Sequence, residues 1–264
     1  MSHTFEPLFN NSNNSSIPNS IPFIPPYLRN TPLDTYNKTA TKPIFLPTQW
    51  SVNDSSSYIK VTSNGLGLRC AGPGRNNSDA ASIRTDHPIP RKAGLFYYEI
   101  DIMNKGDKGF IGLGLGLKNV LLDKMPGWER FSIGYHGDNG LIYIQHSRGK
   151  PYGPLFSEGD TIGCGVNFYD NTLFFTKNGV NLGTAYKGID RGEFFPMIGL
   201  ISKEECIETN FGSRPFKYDI SLHVKMVFDY AAAYNLHIEQ ELPDYNIDDI
   251  MPPQFFCNYC GTYY

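Results

Sequence analysis

The chain has 264 residues, 40% hydrophobic and 19% charged, enough for one substantial domain with tails or at most two small domains. Its net charge of −3 and the lack of any Lys/Arg run argue against a nucleic-acid binder, which shows a basic stripe. No stretch approaches the ~18 apolar residues of a membrane span and no secretory leader pattern is visible, so the expectation is a soluble cytoplasmic or nuclear protein with no membrane partner.

Residues 1–42 are rich in Asn, Ser, Thr and Pro and bury too little apolar surface to offset their ordering entropy, so a disordered tail is expected there. Ile21, Phe23, Ile24, Tyr27 and Leu28 stand out within it, as a segment that packs on the neighbouring domain or as a short docking segment. From Pro43 the texture changes. Strand-like runs fall near 58–62, 66–71, 80–85, 95–103, 109–115, 131–135, 141–146, 161–168, 172–176, 180–185, 195–200 and 205–211. Asn64-Gly65, Asp138-Asn139-Gly140 and Asn178-Gly179 supply hairpin turns between them. Short strands at this spacing, with no alternating helices, predict an all-β antiparallel sandwich over 43–219. Residues 220–240 read as a helix, because 221–239 lacks Gly and Pro and places Leu222, Met226, Tyr230, Ala233 and Tyr234 at helical spacing. The last stretch, 241–264, is acidic, then aromatic, and is expected to be irregular.

Few motifs carry chemistry. Gly112-Leu113-Gly114-Leu115-Gly116 alternates at strand period instead of opening a helix, so it reads as small residues on a crowded strand face rather than a phosphate loop. The five cysteines are odd in number and scattered, as in reduced thiols. Cys257-Asn258-Tyr259-Cys260 would be half of a zinc site or a redox pair, yet a second ligand pair and a thioredoxin-like context are both missing from the sequence. Cys164 sits in a strand, and His87, His136 and His146 lie near turns without a carboxylate partner evident by spacing. The expectation is a non-enzyme without cofactor or metal.

Several segments, in order from about 46 to 219, together resemble a SPRY (B30.2-type) domain. They are Leu46-Pro47-Thr48-Gln49-Trp50-Ser51, Gly72-Pro73-Gly74-Arg75-Asn76-Asn77-Ser78-Asp79, Pro126-Gly127-Trp128-Glu129, Gly134-Tyr135-His136-Gly137-Asp138-Asn139-Gly140, Gly159-Asp160-Thr161-Ile162-Gly163-Cys164-Gly165-Val166-Asn167 and Phe174-Phe175-Thr176-Lys177-Asn178-Gly179. Within that family they resemble the RanBPM-type branch of Ran-binding proteins. The resemblance implies a concanavalin-like sandwich that binds a protein or short peptide through loops on one face. It implies a site made of Arg75, Asn77 and Asp79 as polar contacts, Tyr135 as an aromatic anchor, Asn139 beside it, and Ile201 and Ser202 at the rim. Tyr135 has an alternative reading as a buried core tyrosine. RanBPM-like proteins continue into LisH, CTLH and CRA modules that assemble a ubiquitin ligase. Residues 222–239 do not resemble LisH, so the expectation is an adaptor without those modules, with ligase subunits as partners implied by the resemblance alone. A carbohydrate-binding sandwich using Asp138, Asn139, Asp170 and Asn171 is the alternative from a different class.

Overall fold

The computed structural model describes residues 21–190, 192–236 and 238. Two antiparallel seven-stranded sheets pack face to face. In the first, the order is β1 (Trp50–Ser55), β4 (Ala81–Thr85), β13 (Phe195–Leu200), β6 (Gly112–Gly116), β7 (Ser132–His136), β8 (Leu141–Ile144) and β9 (Lys150–Pro151). In the second it is β12 (Val180–Lys187), β11 (Thr172–Lys177), β10 (Thr161–Asn167), β5 (Leu95–Lys105), β14 (Glu205–Asn210), β3 (Gly67–Cys70) and β2 (Ile59–Val61). The sandwich expected from strand spacing is therefore present. Two strands went unforeseen: β1, four of whose six residues are polar, and the two-residue β9.

Strand alternation explains the layering. Along β5, Phe96, Tyr98 and Ile100 point between the sheets, where the Tyr98 hydroxyl donates to the Gly114 carbonyl of the facing sheet at 3.0 Å. Trp50 of β1 reaches across the same core, its indole N–H donating to the Thr209 hydroxyl at 2.8 Å. Tyr97 and Glu99 point the other way and are nevertheless buried, because a third layer covers that face. The layer contains Tyr27, Phe216 and Tyr218, with ring centroids 5.0 and 5.6 Å from Tyr97 to Phe216 and Tyr218. The C-terminal helix α2 (Ile220–Ala233), capped by the Asp219 carboxylate, packs on the same region.

The expectation of disorder through residue 42 fails within the described residues. A turn of 3-10 helix at Pro26–Leu28 and the helix α1 (Pro32–Thr39) are both formed. Tyr27, Leu28 and Leu33 are buried, and the Tyr27 hydroxyl bonds the Tyr97 backbone N–H at 3.0 Å and its carbonyl at 3.3 Å. Asn37 clamps Ile44 through both its N–H and carbonyl. A few well-placed apolar side chains thus outweigh polar average composition. Residues 1–20 and 239–264, with Cys257 and Cys260, lie outside the described residues.

The Gly112-Gly114-Gly116 alternation is a packing requirement, as its strand period implied. Leu113 and Leu115 point into the sandwich, while a Cβ on Gly114 would sit 1.9 Å from the Ile133 carbonyl oxygen of the neighbouring strand. Backbone cannot yield as a flexible side chain does. Gly114→Ala is therefore expected to cost about 3 kcal/mol or more, measured by urea unfolding, whereas the exposed Gly159→Ala (no atom within 4 Å of its Cβ site) tests the effect of positive φ without a clash.

Candidate functional site

At one end of the first sheet, β4 begins at Ala81, β6 begins at Gly112, β13 ends at Leu200 and β7 ends at His136, and these ends are paired with one another. The loops that leave them converge. Segment 72–80 carries a short 3-10 turn at Asn77–Asp79, started by Asn76, whose side chain accepts from the Ser78 N–H at 2.9 Å. Arg75 folds back on Asp79 through its backbone N–H at 2.8 Å and its guanidinium at 3.2–3.3 Å. That contact first, with the backbone, holds the Asp79 carboxyl below the usual carboxylate range. Lys108, in the next loop, donates to the carbonyls of Gly74 and Arg75, both at 3.2 Å.

The three loops 72–80, 105–110 and 201–205 interlock at two glycines. A Cβ on Gly74 would lie 2.9 Å from the Lys203 nitrogen, and one on Gly106 would lie 2.5 Å from the Lys203 carbonyl oxygen. Both glycines hold positive φ, at 64° and 59°, which L side chains rarely adopt. Beneath them Glu205, fully buried, accepts the N–H groups of Ile201 at 2.8 Å and Ser202 at 2.9 Å. Cys70 closes the underside, its thiol donating to the Ile201 carbonyl at 3.6 Å while its own carbonyl accepts the Glu204 N–H at 3.1 Å.

These loops enclose a small apolar cluster separate from the sandwich core. Ala80, Met125 and Ile201 are its buried members, and Phe110 and Trp128 pack against it half-buried. Met125 and Trp128 arrive from the connection between β6 and β7, which folds back over the sheet so that Met125 fits against Gly112 and Gly199. Trp128 leans toward His136 and Tyr143, with centroids 6.0 and 6.4 Å away. Its indole N–H is enclosed without a hydrogen-bond partner among the described residues.

Only some of the residues expected at the site are on its surface. Arg75 and Asn77 are exposed on the 72–80 loop. Asp79 is buried and serves Arg75 instead of a partner. Ile201 and Ser202 belong here but form part of the floor, 2% and 1% exposed, and not the rim. Tyr135 is fully buried, with its ring against Tyr152, Phe156 and Phe175 and its hydroxyl on the Pro154 carbonyl, so the anchor reading gives way to the core reading. Asn139 is half-buried in the β7–β8 turn, bonded to the Tyr143 hydroxyl at 3.0 Å and to the Leu141 N–H. Phe110, Met125 and Glu205 were missed.

Groups weighed for catalysis are dispersed. Cys164 lies inside the sandwich and burial pushes its thiol up. His136 is buried with its ring nitrogen on the Pro126 carbonyl, and burial lowers it to about 4. His87 does have a carboxylate neighbour at 3.3 Å, Asp86, the residue directly before it in the sequence, contrary to the expectation. Among the described residues no cluster of His, Cys, Asp and Glu fit to hold a metal occurs.

A two-sheet sandwich with a loop-enclosed cluster at one end is the architecture of a SPRY domain. Residues 95–214 match the family model described as SPRY domain. A crystal structure of a human SPRY domain superposes with a TM-score of 0.52 at 27% identity, covering 60% of this chain and 98% of that one. The chain thus carries a SPRY domain over residues 95–214, and it resembles the RanBPM-type Ran-binding proteins. It is 44% identical over 175 residues to Ran-binding protein 10 of Danio rerio, covering 66% of this chain and 29% of the relative. It is 40% identical over 204 residues to Ran-binding protein 9 of Homo sapiens (77% and 27%), and 34% identical over 176 residues to the Ran-binding protein M homolog of Arabidopsis thaliana (66% and 38%). The chain therefore spans well under half the length of these relatives.

The buried Glu205 makes the loop face pH-sensitive. Burial raises its carboxyl from 4.5 to about 7, against hydrogen bonds from Ile201, Ser202 and the Phe110 backbone. The folded protein then keeps a proton that the unfolded chain loses, so this group's contribution to stability falls between pH 4.5 and about 7 and is level above. His136 acts oppositely, adding stability as pH rises from about 4 to 6.5. Its effect cancels when Glu205→Gln is compared with wild type. The variant is expected to gain up to about 3 kcal/mol on wild type between about pH 5 and about pH 8, read from urea unfolding. A pH-independent difference contradicts the assignment.

Proposed function

We propose that this chain is a non-catalytic adaptor that binds a protein segment or short peptide on the loop face made by 72–80, 105–110, 125–130 and 201–205. The observation carrying this reading is the half-buried pair Phe110 and Trp128 over the Ala80–Met125–Ile201 cluster, an apolar floor outside the main core. Around it stand Arg75, Lys108 and Lys203, which give a polar, cationic rim. An apolar centre ringed by polar groups is the anatomy of a recognition patch, and Trp, Tyr and Arg are the residue types that most often dominate such interfaces. The carbohydrate reading has less support, since Asp138 and Asn139 follow a strand of one sheet while Asp170 and Asn171 join two strands of the other.

A finer reading has the bound partner recruited to a ubiquitin ligase, in the cytoplasm or nucleus, and the support for it is the likeness to RanBPM-type proteins. No membrane or nucleic-acid partner is proposed; among the described residues no helix is long and apolar enough to cross a membrane.

The test is selection of binding peptides from a displayed library on the immobilised full chain, followed by calorimetry. Phe110→Ala and Arg75→Glu are each expected to weaken the selected peptides by about tenfold, while Val52→Ala, exposed on the edge strand β1 outside these loops, leaves affinity unchanged. Peptides that bind all four proteins equally would place recognition off this face.

A further inference from the structure

Helix α2 is apolar on two sides. Ile220, Val224 and Ala231 are buried, with Val227 and Phe228 partly buried against the core. On another side Leu222, Met226, Tyr230 and Tyr234 recur every four residues and are 56%, 63%, 58% and 65% exposed. Tyr230 and Tyr234 already stack, with centroids 4.5 Å apart. Single exposed hydrophobics need no explanation, but a continuous row does. A helix with apolar residues on so much of its circumference is normally covered.

The last described residue, Ile238, packs against the sandwich core four residues past the end of the row, so the remaining C-terminal sequence starts within reach of the row. Residues 239–254 contain five carboxylates (Glu239, Glu241, Asp244, Asp248, Asp249) and no Lys or Arg, and residues 255–264 then contain Phe255, Phe256, Tyr259, Tyr263 and Tyr264. The row from Leu222 to Tyr234 is about 18 Å long, whereas the 16 intervening residues 239–254 reach as far as ~55 Å when extended. A segment tethered this closely acts at an effective concentration of about millimolar, which favours it over a second copy in dilute solution. Charge agrees. A segment led back over the row would pass Lys217, exposed just before the helix, and Lys225, exposed within it and bonded to Asp229 at 2.6 Å.

We propose that the exposed face of α2 is the docking site of the aromatic segment 255–264 of the same chain, which lies over Leu222, Met226, Tyr230 and Tyr234. The docked segment leaves the loop face at the end of the first sheet free.

The experiment uses the full chain with the photo-cross-linker p-benzoylphenylalanine in place of Tyr230, prepared as a mixture of isotopically light and heavy protein. The expected result is a cross-link from position 230 to 255–264 within one chain, light to light and heavy to heavy, most of which is lost on adding Met226→Asp. Met226 is exposed, so that change leaves the core intact. Light-to-heavy cross-links would assign the face to a second copy. Cross-links elsewhere in the chain, or none to 255–264, would equally overturn the proposal.

Discussion

Aromatic rings seated directly on glycine backbone set the register on which this molecule depends. A Cβ on Gly163 would lie 1.9 Å from the Tyr97 hydroxyl, and one on Gly165 would lie 2.2 Å from the Phe174 ring. Both glycines are in β10, and the two rings come from its neighbours β5 and β11. Each large ring has one place to go. Because strand side chains alternate, a slip of one residue would bring Cys164 or Val166 under the rings and turn Tyr98 out of the core. The pairing of Gly163 with Glu99 and of Gly165 with Phe174 is therefore dictated by volume as well as by hydrogen bonds. From β5 the register passes to β14, where Glu205 is opposite Lys105. That puts a carboxylate under the turn at Gly106, and the loop face inherits its geometry from packing several strands away.

At the loop face the division of labour is between what is locked and what is displayed. Glu205 and the two glycines at 74 and 106 allow the loops one arrangement. Burying a carboxylate without a cation is costly, and its hydrogen bonds from Ile201, Ser202 and the Phe110 backbone offset only part of that cost, as its raised pKa shows. Fixed loops lose less freedom when a partner binds, so the stability given up at Glu205 returns as pre-organisation. Arg75 and Lys108 carry the opposite character. Their heads are at the surface and their bonds go to loop carbonyls or to Asp79. Changing them alters the rim without loosening the scaffold.

How much of this was readable depends on the range of the interaction. Hairpins such as 172–183 were legible because Leu173, Phe174, Phe175 and the Asn178-Gly179 turn are local. The inward direction of Tyr135 was also available, since it shares a strand face with Ile133, two residues earlier in β7. The edge strand β1 was hidden because only Trp50 and Asp54 of its six residues are buried, leaving no apolar alternation to read. Tyr27 and Leu28 were visible as apolar islands, but their partners Tyr97 and Phe216 are far along the chain. The floor was least legible. Phe110 and Met125 lie outside any strand and meet Ile201 only through the tertiary fold, and nothing in Lys203-Glu204-Glu205 separates the buried carboxylate from the half-exposed one.

The separation of the floor from the main core bears on what sequence likeness conveys. Core residues such as Trp50, Tyr98 and Gly114 touch both sheets, so most substitutions there are felt by the whole fold. The floor cluster of Ala80, Met125 and Ile201 is not contiguous with them. A change at Phe110 therefore reshapes the floor without entering the main core, and a change at Arg75 or Lys203 alters the charge around it. The 40% identity to Ran-binding protein 9 is an average over 204 residues and does not separate the two sets. Fold class follows directly from such likeness, while partner identity rests on a handful of loop side chains whose chemistry has to be read from this molecule itself.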